Sequence, residues 1–380
     1  MKAHIYLGGV AAASLLAVGT AAQAAPGDKI AGSYICVFNK GVSNPRAEAA
    51  RAAHSAGGNV HHVYEHSIRG FSAAMSATAA AQLKSHNAAI AFCEQDQEVD
   101  AIQSSPFDFR ELGKPGKGKP TPSQPNQTTP WGVARVHGGT GTGSGSGTAW
   151  VIDTGIDLDH PDLNVDTGRS ANFVARESSP DDLNGHGSHV AGIIGARDNA
   201  VGVIGVSPGA TLVAVRVLNR RGSGSNSDVI AGVDYVAANG HAGDVANMSL
   251  GGGVSEALDQ AVVAAARDSG VKFTLAAGNE SESATLHSPG RANGTNVYTV
   301  SSFAKGDTWS SFSNFDNPPV DFAEPGSSIP STYKDGGYAT LSGTSMAAPH
   351  LAGILLTSAP KSGGTVSGDP DGEADTIGTK

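Results

Sequence analysis

Three short segments, far apart along the 380-residue chain, carry side chains that together could perform nucleophilic catalysis. Asp153 ends an apolar run and offers a carboxylate, His186 lies in a Gly-rich turn and offers an imidazole, and Ser345 offers a hydroxyl. A serine hydroxyl is a poor nucleophile until a base removes its proton, and the base works best when a third group orients it. These residue types therefore predict a hydrolase that forms a covalent acyl-enzyme.

Each candidate also has a plainer interpretation when it is taken alone. The Asp-Thr-Gly sequence that begins at Asp153 is common turn chemistry, and Ser345 could serve only as a helix N-cap. His189, three residues after His186, is predicted to be packed rather than catalytic, and no thiol or carboxylate cluster follows at metal-ligand spacing. Asn279, which follows an apolar run, is suited to bind an oxyanion together with the backbone N–H of Ser345.

Strands alternate with helices from Trp131 onward, which predicts an α/β fold with a largely parallel sheet flanked by helices. Ligands bind beyond the carboxyl ends of strands in such sheets, so Asp153, the Ser249 segment and the Asn279 segment are expected to converge. Strands are predicted at residues 148–152, 211–218, 244–248, 271–276 and 296–302, and helices at 186–197, 228–239, 256–269 and 344–358, with Ser227 and Ser255 as N-caps, Gly240 and Gly270 as stops, and a bend at Pro349.

Residues 33–103 form a separate unit with the predicted order βαββαβ, which indicates a small α+β, ferredoxin-like sandwich. The first and last strands are neighbours in that topology. Cys36 and Cys93, the only cysteines, lie on those two strands, so they form either a disulfide or two small buried thiols.

Residues 1–24 have the pattern of a secretory signal peptide, with Lys2 before a mostly apolar segment and Ala22-Gln23-Ala24 as the cleavage pattern. The alternative, a transmembrane anchor, is weakened by the Gly and Thr residues in the segment. We therefore expect a secreted protein.

The net charge of −10 argues against nucleic acid or an anionic membrane as a partner. Residues 104–125, rich in Lys, Pro and Gly, are predicted to be a linker.

Five segments between residues 126 and 360 resemble the subtilisin-like serine protease (subtilase) family, and they lie at residues 151–156, 184–192, 247–252, 276–280 and 343–350. The resemblance implies that Ser345 attacks the peptide carbonyl and that His186 transfers the proton. It further implies that Asp153 orients His186 and that Asn279 stabilises the oxyanion.

The resemblance also implies how a polypeptide substrate binds. An extended edge pairs with the substrate backbone, and its end joins a second segment to line the pocket for the residue before the cut. Because the lining residues are small, the pocket is expected to take a large apolar or aromatic side chain. The implied residues are Ser249, Leu250 and Gly251 on the edge, with Ala276, Ala277 and Gly278 in the pocket.

A calcium site is implied as well, in an oxygen-only set that suits Ca²⁺. The alternative is an ordinary turn in a Gly-containing loop. The implied ligands are the side chains of Gln127, Asp162 and Asn199 with the carbonyls of Arg197, Val201 and Val203.

Residues 25–103 then resemble the family's inhibitory propeptide, which assists folding and occupies the active site, and residues 126–380 form the catalytic domain. Maturation is expected either near Gln103 or later, before Gln127, to release a monomeric enzyme. A non-catalytic binding protein on the same scaffold is the alternative class, but all the implied catalytic residues are present.

The C-terminal end departs from the family pattern. Only 35 residues follow Ser345 (380 minus 345), and residues 362–380 are polar and Gly-rich. We expect a disordered acidic tail here, with a cation site at residues 369–373 as the alternative.

Overall fold

The computed structural model describes two packed units, at residues 25–102 (the N-terminal unit) and at residues 125–141, 147–175 and 177–380 (the C-terminal unit). The predicted signal peptide and almost all of the predicted linker lie outside the described residues.

The N-terminal unit is a four-stranded antiparallel sheet covered on one face by two helices. Its elements are β1 (Lys29–Phe38), α1 (Pro45–Ser55), β2 (Asn59–Tyr64), β3 (Gly70–Ala74), α2 (Ala77–His86) and β4 (Ile90–Ala101). The strand order β4-β1-β3-β2 confirms the predicted βαββαβ topology. The helix α1 begins at a proline and is capped by Asn44, whose side chain accepts the N–H of Ala47.

Cys36 and Cys93 lie directly opposite each other on β1 and β4 and form a disulfide. Of the two alternatives that the sequence left open, the structure therefore has the bonded one. The C-terminal unit contains no cysteine, so it is held together without disulfide bonds.

The C-terminal unit contains one large sheet with helices on both faces, together with four strands that pair outside that sheet. Its strands are β5 (Ala149–Asp153), β6 (Ala171–Asn172), β7 (Leu212–Arg216), β8 (Ser223–Ser225), β9 (Val245–Met248), β10 (Leu250–Gly252), β11 (Lys272–Ala276), β12 (Val297–Ala304), β13 (Thr308–Trp309), β14 (Val320–Pro325), β15 (Ile329–Tyr333), β16 (Gly337–Leu341), β17 (Lys361–Thr365) and β18 (Thr376–Thr379). Its helices are α3 (Trp131–Arg135), α4 (His186–Gly195), α5 (Asn226–Asn239), α6 (Glu256–Ser269) and α7 (Thr344–Leu355), with a short 3₁₀ turn at Ala284–Leu286.

The central strands β7, β5, β9, β11, β12 and β14 run parallel and in that spatial order. Because both faces of the sheet are covered, β5 and β7 are buried along their whole length and are mostly apolar. On β5, Val151 packs in a cluster with α4 and α7, whereas Trp150 and Ile152 pack in a cluster with α5 and α6. This three-layer arrangement confirms the predicted α/β fold.

One predicted N-cap is wrong. The hydroxyl of Ser225, not that of Ser227, accepts the N–H of Asp228 and starts α5. The hydroxyl of Ser227 instead donates to Asp96 of the N-terminal unit at 2.6 Å, a contact between units that local sequence does not reveal. Ser255 caps α6 as predicted, accepting the N–H of Leu258.

The expected disordered tail is also wrong. The strands β17 and β18 pair with each other, and β18 extends the main sheet beside β14. The acidic residues are accommodated because neighbours donate to them. Asp375, for example, accepts hydrogen bonds from the Ser301 hydroxyl and from the Asn317 amide. In the described part of the chain, no group of three or more His, Cys, Asp or Glu residues is arranged to hold a metal ion.

No helix in the described ranges combines the length and the apolar character that crossing a bilayer requires.

Candidate active site

The candidate residues meet at the carboxyl edge of three neighbouring strands. Asp153 ends β5, Ser249 follows β9, and Asn279 lies three residues beyond the end of β11. These strands are adjacent and parallel, so their carboxyl ends open on the same side of the sheet. The convergence that was expected from the strand pattern is present.

Asp153 and His186 form a fully buried pair. The Nδ1 atom of His186 lies 2.8 Å from Oδ1 and 2.9 Å from Oδ2 of Asp153, and both side chains are 0% exposed. The Oδ1 atom of Asp153 also accepts the N–H of Thr154 at 2.7 Å. With Nδ1 donating to the carboxylate, Nε2 of His186 is left as a proton acceptor. It has no hydrogen-bond partner among the described residues.

Two glycines allow His186 to approach Asp153 so closely. Gly185 precedes α4 with a φ of 112°, in the left-handed region, and a methyl group on it would lie 2.2 Å from the Tyr333 ring. A methyl group on Gly187 would lie 2.0 Å from the carbonyl oxygen of Gly155. The Gly-His-Gly sequence is therefore required by backbone geometry and by contact.

His189 lies deeper in the same helix, as predicted for a packed residue. Its Nε2 contacts the carbonyl oxygens of Ile329 and Ala339 at 3.0 and 3.2 Å. Burial lowers the pKa of His189 to about 3, and the neighbouring His186 adds to this effect. The ring is therefore neutral and structural at ordinary pH.

Ser345 is the second residue of α7, at the positive end of the helix dipole. Its hydroxyl donates to the carbonyl oxygen of Ser249 at 3.0 Å, and the hydroxyl of Ser249 donates back to the Ser345 carbonyl at 2.9 Å. This reciprocal pair holds the start of α7 against the end of β9. The predicted helix includes Pro349, which lies inside α7.

Asn279 faces the same helix start. Its Oδ1 accepts the backbone N–H of Thr344 at 2.9 Å and the Thr344 hydroxyl at 3.0 Å. These bonds fix the orientation of the amide, and Nδ2 is buried without a hydrogen-bond partner in the described ranges. Such an unpaired donor is suited to an oxygen that becomes charged during a reaction.

The end of the N-terminal unit lies in this site. The strand β4 is antiparallel to β10 on one side and to β8 on the other, and the N–H of Ile102 points to the Ser249 carbonyl at 3.3 Å. A methyl group on Gly343 would lie 2.9 Å from Asn279 Nδ2, 3.1 Å from the Ile102 carbonyl oxygen and 3.7 Å from the Ser345 nitrogen. The Ile102 carbonyl therefore shares one small space with both oxyanion candidates.

A cavity of about 420 Å³ opens beside Ile102. A methyl group on Gly251 would lie 2.9 Å from Cδ1 of Ile102, so the isoleucine side chain lies against this glycine. Another wall of this cavity is formed by His287, Ser288 and Gly290. Of the predicted pocket residues, Gly251, Ala276, Ala277 and Gly278 line the cavity, whereas Leu250 is fully buried beside it.

The predicted calcium ligands also form a cluster. The Nε2 atom of Gln127 donates to the Arg197 carbonyl at 2.8 Å and lies 3.5 Å from the Val203 carbonyl. Asp162, fully buried, accepts from the Asn199 amide at 2.8 Å and from the Val203 N–H at 3.1 Å. Burial raises the pKa of Asp162. Val201 joins the cluster through its backbone pairing with Asn126.

Sequence reasoning missed two features of the site. The strand β8, a Ser-Gly-Ser segment, forms the second edge along β4, but it has no apolar alternation that would mark a strand. Ile102 directly follows an ordinary strand, β4, and only its position next to the predicted linker distinguishes it. Both features depend on pairing between the two units, which leaves no local signal.

A carboxylate, an imidazole and a hydroxyl at a helix N-terminus, on the carboxyl edge of a parallel sheet, are the groups that serine hydrolases with the chain order Asp, His, Ser use. That order is the one found in subtilisin. The comparisons agree with this class, since the sequence profile of the subtilase family matches residues 149–361.

Known proteases are similar over 60% to 81% of this chain. Alkaline serine exoprotease A of Vibrio alginolyticus is 42% identical over 78% of this chain, which spans 52% of that protein. The extracellular serine proteinase of Thermus sp. (strain Rt41A) is 38% identical over 81% of the chain and 70% of its own length. Subtilisin Savinase of Lederbergia lenta is 43% identical over 60% of the chain and 82% of its own length.

A solved structure is similar as well, that of a cold-adapted subtilisin-like serine proteinase. It is 46% identical with a TM-score of 0.53, over 59% of this chain and 82% of that one. The chain belongs to the subtilase family of serine proteases. It spans about half the length of the Vibrio relative.

Proposed function

We propose that this protein is a secreted serine endopeptidase, made as a precursor that cleaves itself, with Asp153, His186, Ser345 and Asn279 as its catalytic residues. One observation carries the proposal. The Ile102 carbonyl lies among the oxyanion candidates, and Asp153 and His186 form a buried pair at the same carboxyl edge of the sheet. This position of a peptide carbonyl from the chain itself supports the proposal that a substrate carbonyl reacts there.

In the proposed reaction, the hydroxyl of Ser345 turns from the Ser249 carbonyl and gives its proton to Nε2 of His186 as its oxygen attacks the carbonyl carbon. Asp153 accepts the Nδ1 hydrogen and stabilises the imidazolium that forms. The negative charge moves to the carbonyl oxygen, where Nδ2 of Asn279 and the N–H of Ser345 donate to it. His186 then protonates the leaving amine, and water releases the acyl group by the same steps in reverse.

We propose that a polypeptide substrate binds as β4 does, as an extra strand between β8 and β10. Backbone hydrogen bonds would then give affinity without reading sequence. The side chain before the cut would enter the cavity beside Gly251, where Ile102 lies. The small walls at Ala276 and Gly278 support a preference for an apolar or aromatic residue there.

The N-terminal unit is proposed to be the inhibitory propeptide and folding aid, and the bond cut on maturation is proposed to be Ile102–Gln103. Supporting this choice over a cut before Gln127 is the pairing of β4 up to Ala101 and the N–H of Ile102 at the Ser249 carbonyl. After the cut, the new carboxyl end would still fill the site, so activity would require removal of the unit.

Calcium is proposed to bind at Asp162, with Gln127, Asn199 and the carbonyls of Arg197, Val201 and Val203 as the other ligands. The residues fit this ion, because a buried carboxylate and two convergent carbonyls are approached by the side-chain amides of Asn199 and Gln127. A turn of each amide would present its oxygen instead. The ion would tie residue 127, just after the linker, to the 197–203 loop and would add stability to a unit without disulfides.

Secretion is supported by the signal-peptide pattern at residues 1–24 and by relatives whose names describe an extracellular proteinase and an exoprotease.

The test uses the full chain and two variants, Ser345→Ala and, as a matched control, Ser311→Ala at an exposed serine. We expect the wild type and Ser311→Ala to hydrolyse casein and to release a fragment that ends at Ile102. Ser345→Ala should stay uncleaved and inactive, and a serine-directed phosphonylating inhibitor should stop the wild type. A protein that binds peptides equally well in all three forms without hydrolysis would establish the alternative, a non-catalytic binding protein.

For calcium, the measurement is the melting temperature of processed enzyme with and without chelator, in wild type and in Asp162→Asn. Chelation should destabilise the wild type and have a much smaller effect on the variant. An equal effect of chelator on both proteins would place the ion elsewhere.

A further inference from the structure

Asp182 is a buried carboxylate that the proposed reaction does not use. It lies four residues before His186 and is only 4% exposed. Buried carboxylates need several donors to remain charged, and Asp182 has five. They come from two different segments of the chain, which are also the segments that carry the Asp153–His186 pair.

One oxygen of Asp182 connects those two segments. Oδ1 accepts the hydroxyl of Thr154 at 2.9 Å and the N–H groups of Asn184 and Gly185 at 2.9 and 2.8 Å. The hydroxyl of Thr154 in turn accepts the N–H of Gly187 at 2.9 Å. Thr154 follows Asp153 directly, so the chain on either side of His186 is bonded to the neighbour of its partner.

The other oxygen of Asp182 accepts hydrogen bonds from the first turn of α4. Oδ2 accepts the N–H of Ser188 at 2.9 Å and its hydroxyl at 2.6 Å. That hydroxyl also accepts the N–H of Asp157 at 2.9 Å while it donates its own proton to Asp182. The hydroxyl of Thr154 is committed in the same way by Gly187. The arrangement therefore suits an ionised Asp182.

The charge of Asp182 then lies at the amino end of the helix that begins with His186. Free N–H groups at a helix start carry partial positive charge, which disfavours a protonated imidazole beside them. A carboxylate bonded to those N–H groups offsets that charge. Burial raises the pKa of Asp182, while its bonds from Ser188 and Gly185 act in the opposite direction. Other charged groups face the same cavity of about 220 Å³, and they are Asp157, Asp159, Asp181, Lys334 and Asp335.

We propose that Asp182 is a positioning residue that holds His186 against Asp153 and supports the positive charge that His186 carries during the reaction. This inference rests on the proposed function. Asp182 acts through two sets of hydrogen bonds, those of the Thr154 bridge and those at the start of α4. Each set can be removed separately by substitution.

The test compares Asp182→Asn with Asp244→Asn as a matched control in the processed wild-type background. Asp244 is a 7%-exposed carboxylate that accepts Thr148 and Trp150 N–H groups at the opposite edge of the sheet. Kinetics of a chromogenic peptide amide are measured across pH, per active site counted with the phosphonylating inhibitor. Melting temperatures are measured for both variants.

We expect Asp182→Asn to lower kcat about 100-fold, the loss that a small misplacement causes, with KM changed less than about threefold. The acid limb of kcat/KM should move to lower pH, because a negative charge that favours the imidazolium is gone. Asp244→Asn should lower only the melting temperature. A variant Asp182→Asn with lowered melting temperature but unchanged kcat and acid limb would overturn the proposal.

If Asp182→Asn does not fold, Thr154→Val and Thr154→Ser test the bridge alone. Valine should lower kcat and serine, which keeps the hydroxyl, should restore it. Equal kcat for both variants would exclude the bridge. The proposed function has its own outcome, since an active Ser345→Ala enzyme would refute it whatever Asp182 does.

Discussion

The two faces of the N-terminal sheet and the two faces of the C-terminal sheet are completed in different ways. In the N-terminal unit, one face packs on its own helices around Phe71 and Leu83. The other face places Ile35 and Val37 in a cluster with α5 and α6 of the C-terminal unit. The C-terminal sheet has helices of its own on both faces, and its cluster with α4 and α7 includes no buried residue of the N-terminal unit.

This difference indicates which unit depends on the other for its stability. The smaller unit has one small core and a disulfide, and its second apolar face is covered only when the units are together. The larger unit keeps a complete core on the side of the candidate site when the smaller one leaves. Such a dependence of the smaller unit on the larger one suits a folding aid that is later removed. Part of its stability comes from contacts with the larger unit, and these contacts are lost on its release.

The sharpest test is a matched pair of leucines, Leu83 in the N-terminal core and Leu212 in the C-terminal one, both nearly fully buried. Each change to alanine should cost about 2–5 kcal/mol. In the uncleaved Ser345→Ala chain, Leu83→Ala should unfold residues 29–102 alone, whereas Leu212→Ala should leave both units folded. Hydrogen exchange followed by mass spectrometry locates the loss. Exchange that rises equally in both units after Leu83→Ala would contradict the asymmetry.

The next effect is that of the disulfide, which closes a 57-residue separation between Cys36 and Cys93. Replacing both with serine should lower the stability of the N-terminal unit by about 2–4 kcal/mol, because the unfolded chain gains freedom. The measurement is the melting curve of the uncleaved chain. As a control, a reducing agent should leave the melting of processed enzyme unchanged, since the C-terminal unit has no cysteine.

The contact between the units should weaken as pH rises. Burial raises the pKa of Glu94 and of Asp96, which meet the starts of α6 and α5. A group whose pKa is raised on binding favours the bound state below its ordinary value and loses that contribution as pH rises through the raised value. Release of the N-terminal unit should therefore accelerate as pH rises from about 4 towards neutral.

To measure this, processed precursor is incubated at each pH, and samples are assayed at one fixed pH. Asp96→Asn should weaken the dependence, because the amide has no proton to lose over this range. Faster release in acid than at neutral pH would show that other groups dominate the contact.

The smallest expected effect on release is that of a partly exposed contact between the two units, His62 with Asp228. Nε2 of His62 lies 2.8 Å from Oδ1 of Asp228, and both side chains are about a fifth exposed. Such partly exposed pairs contribute about 0.2–1 kcal/mol, so His62→Gln should speed release by less than about fivefold. The difference should vanish at high salt, which screens surface pairs. A larger effect that survives high salt would mean that His62 matters through packing.

Local patterns were sufficient for the elements that depend on neighbours in sequence. The apolar run that ends at Asp153, the capped start of α6 and the Gly-His-Gly turn could each be predicted, because their hydrogen bonds or side-chain periodicity lie within a few residues. The order of strands and helices also predicted the shared sheet edge. The prediction of Ser227 as the N-cap of α5 was wrong because its hydroxyl bonds to Asp96, which lies more than a hundred residues away in the sequence.

By itself, the sequence determined the class of fold, the three chemical groups and the edge on which they meet, since parallel strands joined by helices open at their carboxyl ends. Only the tertiary structure decided that Cys36 bonds to Cys93, that the C-terminal residues form strands, and that Ile102 lies beside Asn279. It alone brought Asp182 to both loops of the His186 pair. These contacts join residues distant in sequence, and their free energy comes from burial and complementary donors that no local pattern records.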